Sequence, residues 1–215
     1  MADKKTELEK IKEEMAARAD LPLANFSNLV FSDGDAEASV MFIGEAPGFH
    51  ENRLGRPFVG LAGQLLDKLL VEINWPRASV YITNIVKRRP PENRDPSLEE
   101  IAAYAPYLQR QIAVMQPKLI APLGRFSMNY FLPDAKISRD HGRLLTKDGQ
   151  LIFPLYHPAA ALRSTSVLEE LRKDFHKLPH ILETGTMPVD LTSPASIPSP
   201  APAKKEPKTA QDSLF

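Results

Sequence analysis

The chain has no cysteine among its 215 residues. That excludes disulfides, thiol nucleophiles and cysteine-ligated metal clusters. It has no surplus of charge either, since 27 Lys+Arg balance 27 Asp+Glu. No global field therefore draws it to nucleic acid, and any basic surface must be local. It lacks a run of about 18 apolar residues of the kind that spans a bilayer. Its first residues, MADKKTELEK, are charged and carry no apolar core of a secretory signal. The expectation is a cytoplasmic protein with no membrane attachment. His50, His141, His176 and His180 show no metal-ligand spacing, so no metal site is expected.

What is present is ordinary for a soluble globular protein: 43% hydrophobic and 25% charged residues. The length suits one domain with a sizeable core and an appendage. Thr6-x-x-Glu9 has the form of a capping box, with Leu8, Ile11 and Met15 at helical spacing, and predicts a helix over about 6–18. Ser39–Gly44 and Val80–Asn84 read as strands, separated by a helix over Leu61–Ile73. Ser97-x-x-Glu100 opens a helix through Met115, Lys118–Gly124 reads as a third strand, and Arg125–Phe131 begins a helix. Gln150–Tyr156 is a fourth strand, and Ser166-x-x-Glu169 caps a last helix. Strands alternating with helices predict a three-layer α/β/α sandwich on a mainly parallel four-stranded sheet.

In such sheets ligands sit beyond the carboxyl ends of the strands. Gly44-Glu45, Thr83-Asn84, Gly124-Arg125 and His157-Pro158 fall at the four ends and should converge on one edge. The Gly44–Gly48 turn looks at first like a phosphate cradle, but it carries Glu45 and no Lys-Ser/Thr pair. An acid, an amide and an imidazole suit a planar heterocycle and a bond that breaks with charge on either side. Asn84 offers one acceptor and two donors to a base edge. Phe58 offers a stacking face, and His157 can donate to an oxygen that gains negative charge. Glu45 can orient a water or stabilise a cationic sugar. Plainer readings stand beside these: Glu45 as a loop-solvating acid, Phe58 as core, Asn84 as a partner of backbone groups, and His157 as a structural residue before proline. Lys87, Arg88, Arg89 and Arg94 form either a solvated loop or, beside this edge, phosphate contacts.

These residues resemble the uracil-DNA glycosylase superfamily, family 4 above all. The resemblance rests on GEAPG with Glu51, PFVGLAGQLL (Pro57–Leu66), YITNIVKRRPPENRDP (Tyr81–Pro96), YLQRQI (Tyr107–Ile112), the LG of APLGR, and HPAAALR ending at Arg163. The motifs occur in family order and spacing over roughly residues 10–180. It implies that Glu45 positions or activates the attacking water and that Glu51 crowds out the thymine methyl. Phe58 would stack on a flipped uracil, and Asn84 would read its Watson–Crick edge. Asn93 would support the water or a phosphate, and His157 would stabilise the departing uracil anion. Lys87, Arg88, Arg89, Arg94 and Arg163 would meet DNA. Family 4 also implies four cysteines on an iron–sulfur cluster. By motif position these fall near Arg18 and Leu21, at Arg88 and at Tyr104. All four are replaced together, so the cluster is expected to be absent, its place taken by a plug with Leu21 and Tyr104 turned inward.

The remainder has a different character. Residues 1–186 are expected to form the glycosylase-like domain, and 187–210 a Pro-rich linker without hydrophobic periodicity. Six of the 20 prolines lie in the last 29 residues. The final Gln211-Asp-Ser-Leu-Phe215 resembles the pentapeptide by which bacterial repair and replication proteins bind the sliding clamp. Leu214 and Phe215 would anchor in an apolar pocket and Gln211 would fix register. The sequence thus points to a monomeric, cofactor-free, monofunctional enzyme that removes uracil from DNA, with no motif lysine placed for Schiff-base chemistry. A glycosylase for hypoxanthine or xanthine, and a catalytically silent clamp-tethered DNA-binding module, remain the alternatives.

Overall fold

A computed structural model of the chain describes residues 3–187. The expected linker beyond Met187 and the residues Gln211, Leu214 and Phe215 lie outside the described residues. In chain order the elements are helix α1 (Lys4–Ala17), strands β1 (Asp33–Gly34) and β2 (Val40–Gly44), and helices α2 (Phe49–Leu54) and α3 (Leu61–Glu72). Strand β3 (Tyr81–Asn84), helix α4 (Leu98–Met115), strand β4 (Leu119–Pro122) and helices α5 (Arg125–Phe131) and α6 (Ile137–Asp140) follow. The hairpin β5 (Leu145–Lys147) and β6 (Gln150–Ile152), then α7 (Pro158–Ala161) and α8 (Thr165–Thr184), complete it.

The sheet has six strands in the order β1-β3-β2-β4-β6-β5. The four expected strands form its parallel centre, and two short antiparallel strands, β1 and β5, extend the edges. The expectation of four strands is corrected on that point. Strand β1 is only Asp-Gly, too short and polar to show any alternation. The β5–β6 hairpin turns through Asp148 (φ 51) and Gly149 (φ 80), an Asp-Gly pair of the kind two-residue hairpins favour.

Alternation along the central strands builds two cores. Val40 and Phe42 face one side with Leu66, Leu69, Leu70, Phe175 and Leu178. Met41 and Ile43 face the other with Leu8, Ile11, Met15, Tyr104 and Leu108. Helices α3 and α8 therefore cover one face and α1 and α4 the other, as a three-layer sandwich requires. Ser97 and Glu100 form the expected capping box on α4. The Thr6–Glu9 box does not form, because α1 already begins at Lys4 behind Asp3. The α8 cap is Ser164, two residues ahead of the expected Ser166.

Candidate active site

The loops after the parallel strands wall a cavity of about 620 Å3. Glu45, Glu51, Phe58, Asn84, Asn93 and His157 all line it, together with Arg94 and Arg163. Strand ends β2 and β3 bring Glu45 and Asn84 side by side, since Gly44 pairs with Asn84 in register. The absence of a side chain at Gly44 allows this close approach. A Cβ there would stand 2.3 Å from Asn84 Oδ1 and 2.6 Å from Phe58 Cζ. Asn84 is 2% exposed, so its amide meets little bulk water.

Glu45 is half-buried, and its carboxylate accepts no hydrogen bond among the described residues. Burial, then the neighbouring Asp95 charge, push its carboxyl up to about 7, against the pull of Arg125. His157 caps the start of α7, where its Nδ1 accepts the Ala159 amide at 3.1 Å. The neutral ring must then carry its proton on Nε2. Burial pushes its pKa down to about 4, with the Glu51 charge acting the other way. Near neutral pH the site thus holds a carboxyl poised to titrate and a neutral imidazole. Gly124 (φ 88) makes room for the imidazole, because a Cβ there would lie 2.9 Å from that of His157. The Phe58 ring lies 5.6 Å from the His157 ring, tilted by 31°. Glu51 has a second duty besides lining the cavity: its Oε1 accepts the amides of Val59 and Gly60, each at 2.8 Å.

The expected row of DNA-facing cations divides. Lys87 and Arg88 are corrected: Lys87 is 0% and Arg88 7% exposed. Beyond the end of β3 at Asn84 the chain stays hydrogen-bonded to its neighbours. Ile85 and Val86 donate to Gly44 and Glu45 carbonyls, and Val30 donates to the Lys87 carbonyl. That pairing carries the next side chains inward. Lys87 Nζ donates to Thr83 Oγ1 and the Asn84 carbonyl, both at 2.6 Å, and Arg88 donates to the Ser27 carbonyl. Neither lines the cavity. Arg89 lies over the Phe49 ring at 5.4 Å and donates to Asn93 Oδ1 at 2.7 Å. Arg94 makes a paired contact with Glu100 at 2.6 and 2.9 Å. Asp95 and Phe126 also line the cavity and were not among the expected site residues. Arg125 lines it too, at the Gly124-Arg125 strand end expected on this edge.

The profile described as the Uracil DNA glycosylase superfamily matches residues 31–179. The chain belongs to the uracil DNA glycosylase superfamily. It is similar to the Type-4 uracil-DNA glycosylase of Sulfurisphaera tokodaii, 44% identical over 80% of this chain and 83% of the relative. The protein of the same description from Saccharolobus solfataricus is 43% identical over 76% of this chain and 80% of the relative. That from Archaeoglobus fulgidus is 40% identical over 71% and 81%.

The four positions where the family 4 resemblance implies cysteines do meet in space, but their donors do not fit an iron–sulfur cluster. Tyr104 is 0% exposed and Leu21 7%, both turned inward as expected. The Tyr104 hydroxyl donates to the Pro22 carbonyl at 2.6 Å, with the Arg88 guanidinium beside it. Arg18 grips Asp20 through two bonds of 2.6 Å. Two guanidinium groups, an isobutyl chain and a phenol offer iron no thiolate. No group of three His, Cys, Asp or Glu side chains able to hold a metal occurs among the described residues.

Proposed function

We propose that this member of the superfamily is a uracil-DNA glycosylase that hydrolyses the N-glycosidic bond of uracil in DNA and so begins base excision repair. The observation that carries the reading is the meeting of Glu45, Phe58, Asn84 and His157 around one cavity at the carboxyl edge of the sheet. The base must leave the stack to enter it. Phe58 stacks on the flipped uracil, and Asn84 accepts from N3–H and donates to O4, which rejects cytosine. Glu51 stands near C5 against a methyl group.

The C1′–N1 bond breaks with its electron pair moving to the base, leaving a cationic sugar and a uracil anion. His157, neutral with its proton on Nε2, donates a hydrogen bond to the base oxygen where that charge gathers. Ionised Glu45 orients the water, whose oxygen bonds to C1′ while the water proton passes to the carboxylate. Asn93 supports the water or a phosphate of the scissile nucleotide. Arg89, Arg94 and Arg163 meet the backbone phosphates: Arg163 is exposed, while Arg94 does so from its pairing with Glu100 and Arg89 from its bond to Asn93.

The protein works without a cofactor, as a monomer in the cytoplasm. Among the described residues, no helix is long and apolar enough to cross a membrane. Through Gln211, Leu214 and Phe215 the chain binds a bacterial sliding clamp. Bound there, the enzyme works at a raised effective concentration on clamp-loaded DNA. Anisotropy of the labelled tail against clamp tests this, and equal affinity after Leu214→Ala with Phe215→Ala would overturn it. An absorbance scan of purified protein should show no iron–sulfur band.

The main test is a 5′-labelled oligonucleotide with one uracil, incubated with the protein, treated with hot alkali and run on a gel. Parallel lanes carry thymine, hypoxanthine and xanthine, and the variants Glu45→Ala, Asn84→Ala and His157→Ala. Cleavage at uracil that the variants weaken is expected. Cleavage only at another base would redirect the substrate assignment. Binding without any cleavage would make the chain a silent DNA-binding module.

A further inference from the structure

Phe58 lies in the left-handed backbone region, at φ 51. L side chains rarely adopt it, and a bulky ring there needs outside support. Gly63, in the first turn of α3, is packed so closely that a Cβ would stand 1.9 Å from the Phe58 carbonyl oxygen. The turn is gripped on both polar edges. On its N–H edge, Glu51 accepts from Val59 and Gly60. On its C=O edge, Arg77 Nη1 donates to the Phe58 carbonyl at 3.0 Å and Nη2 donates to the Pro57 carbonyl at 2.5 Å.

Arg77 is aimed by two carboxylates from different parts of the fold. Its Nε donates to Asp33 on β1 at 2.6 Å, and its Nη1 also donates to Asp67 on α3 at 2.8 Å. Its side chain is 17% exposed, and it is not among the residues lining the cavity. Four bonds of one planar fork thus connect the edge strand, the helix and the turn. Lysine, with three rotatable donors on one nitrogen, has no equivalent fork geometry.

We propose that Arg77 is a positioning residue: it holds the Pro57–Phe58 turn left-handed and thereby fixes the Phe58 ring as the platform for the flipped base. This rests on the reading of Phe58 as the stacking residue. The ring has little freedom to relax, being packed against the Gly44 backbone on one side and near His157 on the other. Loosening the turn at Arg77 therefore misplaces the platform without substituting any cavity-lining residue.

The test is a double-substitution cycle on the full chain, with Arg77→Lys, Phe58→Ala and both together, read as kcat/KM for uracil excision from a labelled oligonucleotide. Arg77→Lys alone should lose about tenfold, the scale expected when charge-assisted hydrogen bonds are broken. In the Phe58→Ala background the same change should cost less than about threefold, because the ring that Arg77 positions is gone. Losses that multiply would overturn the proposal for Arg77 alone. Undiminished excision by Phe58→Ala would instead remove the stacking reading beneath it. If Arg77→Lys does not fold, the same change is made with Phe58→Gly, since glycine adopts positive φ without a clamp. A restored melting transition supports the proposal, and continued unfolding overturns it.

Discussion

Replacing Gly44 with alanine adds one methyl group at the most crowded point of the base site. That methyl carbon would stand 2.3 Å from Asn84 Oδ1, and 2.6 and 2.7 Å from two carbons of the Phe58 ring, where ordinary contact begins near 3.4 Å. The amide and the ring must each retreat by about an ångström from the places they hold on the cavity wall. Asn84 is 2% and Phe58 6% exposed. Overpacking of this kind costs about 1–3 kcal/mol of stability. An ångström of misplacement at a reacting centre costs on the order of a hundredfold in rate. Single-turnover excision of uracil should therefore fall by about two decades, while thermal melting still shows a cooperative fold. Gly149→Ala is the control: its φ is 80 and nothing lies within 4 Å of the new methyl. It should cost about 1–2 kcal/mol through backbone strain and leave excision unchanged. If Gly44→Ala excised uracil within threefold of the unsubstituted chain, the assignment of Asn84 and Phe58 to the base would be refuted.

The pH dependence follows from two groups. With Glu45 raised to about 7 and acting in its ionised form, kcat/KM should climb as pH rises through 7. Arg125→Gln, which removes the opposite charge, should move that limb upward, and Asp95→Asn should move it downward; an unmoved limb would sever the link to Glu45. The same raised pKa means the folded chain holds a proton the unfolded chain has released between about pH 4.5 and 7, so this group should lower stability as pH rises through that window, and Glu45→Gln should abolish the slope in melting experiments. His157, held down to about 4, should add no limb near 6.5, and His157→Asn should lower kcat at every pH from 5 to 9. Lys87→Met should leave the salt dependence of DNA binding unchanged, whereas Arg163→Gln should shallow its logarithmic slope by about one, each phosphate contact releasing about one counterion.

Much of the scaffold was legible because it depends on local periodicity. The four central strands are runs of apolar residues ended by glycine or a polar group, and each appears within a few residues of its expected place. The Ser97–Glu100 capping box formed because its two groups need only each other. The Thr6–Glu9 box had the same letters, but favourable residues upstream let α1 start earlier and placed Thr6 inside it. The edge strands were harder. Two residues of β1 pair only because β3 is already there to receive them. The Asp148-Gly149 turn, by contrast, carried a readable hairpin signal.

At the site, the order of residues along the chain fixes which chemical groups meet. A parallel sheet delivers whatever follows its strands to one edge, so Glu45, Asn84 and His157 were bound to converge. What their surroundings make of them depends on contacts between distant segments of the fold. Lys87 and Arg88 lie among cations in the chain, yet continued pairing beyond β3 turns them into the interior, a consequence of register between distant segments. Burial sets the Glu45 carboxyl near 7 and keeps His157 neutral, and burial is a sum over neighbours from every layer. The grip of Arg77 on the Phe58 turn joins residues 33, 57, 58, 67 and 77. No short motif contains it, because a left-handed turn is held by whatever the folded chain places against its carbonyls.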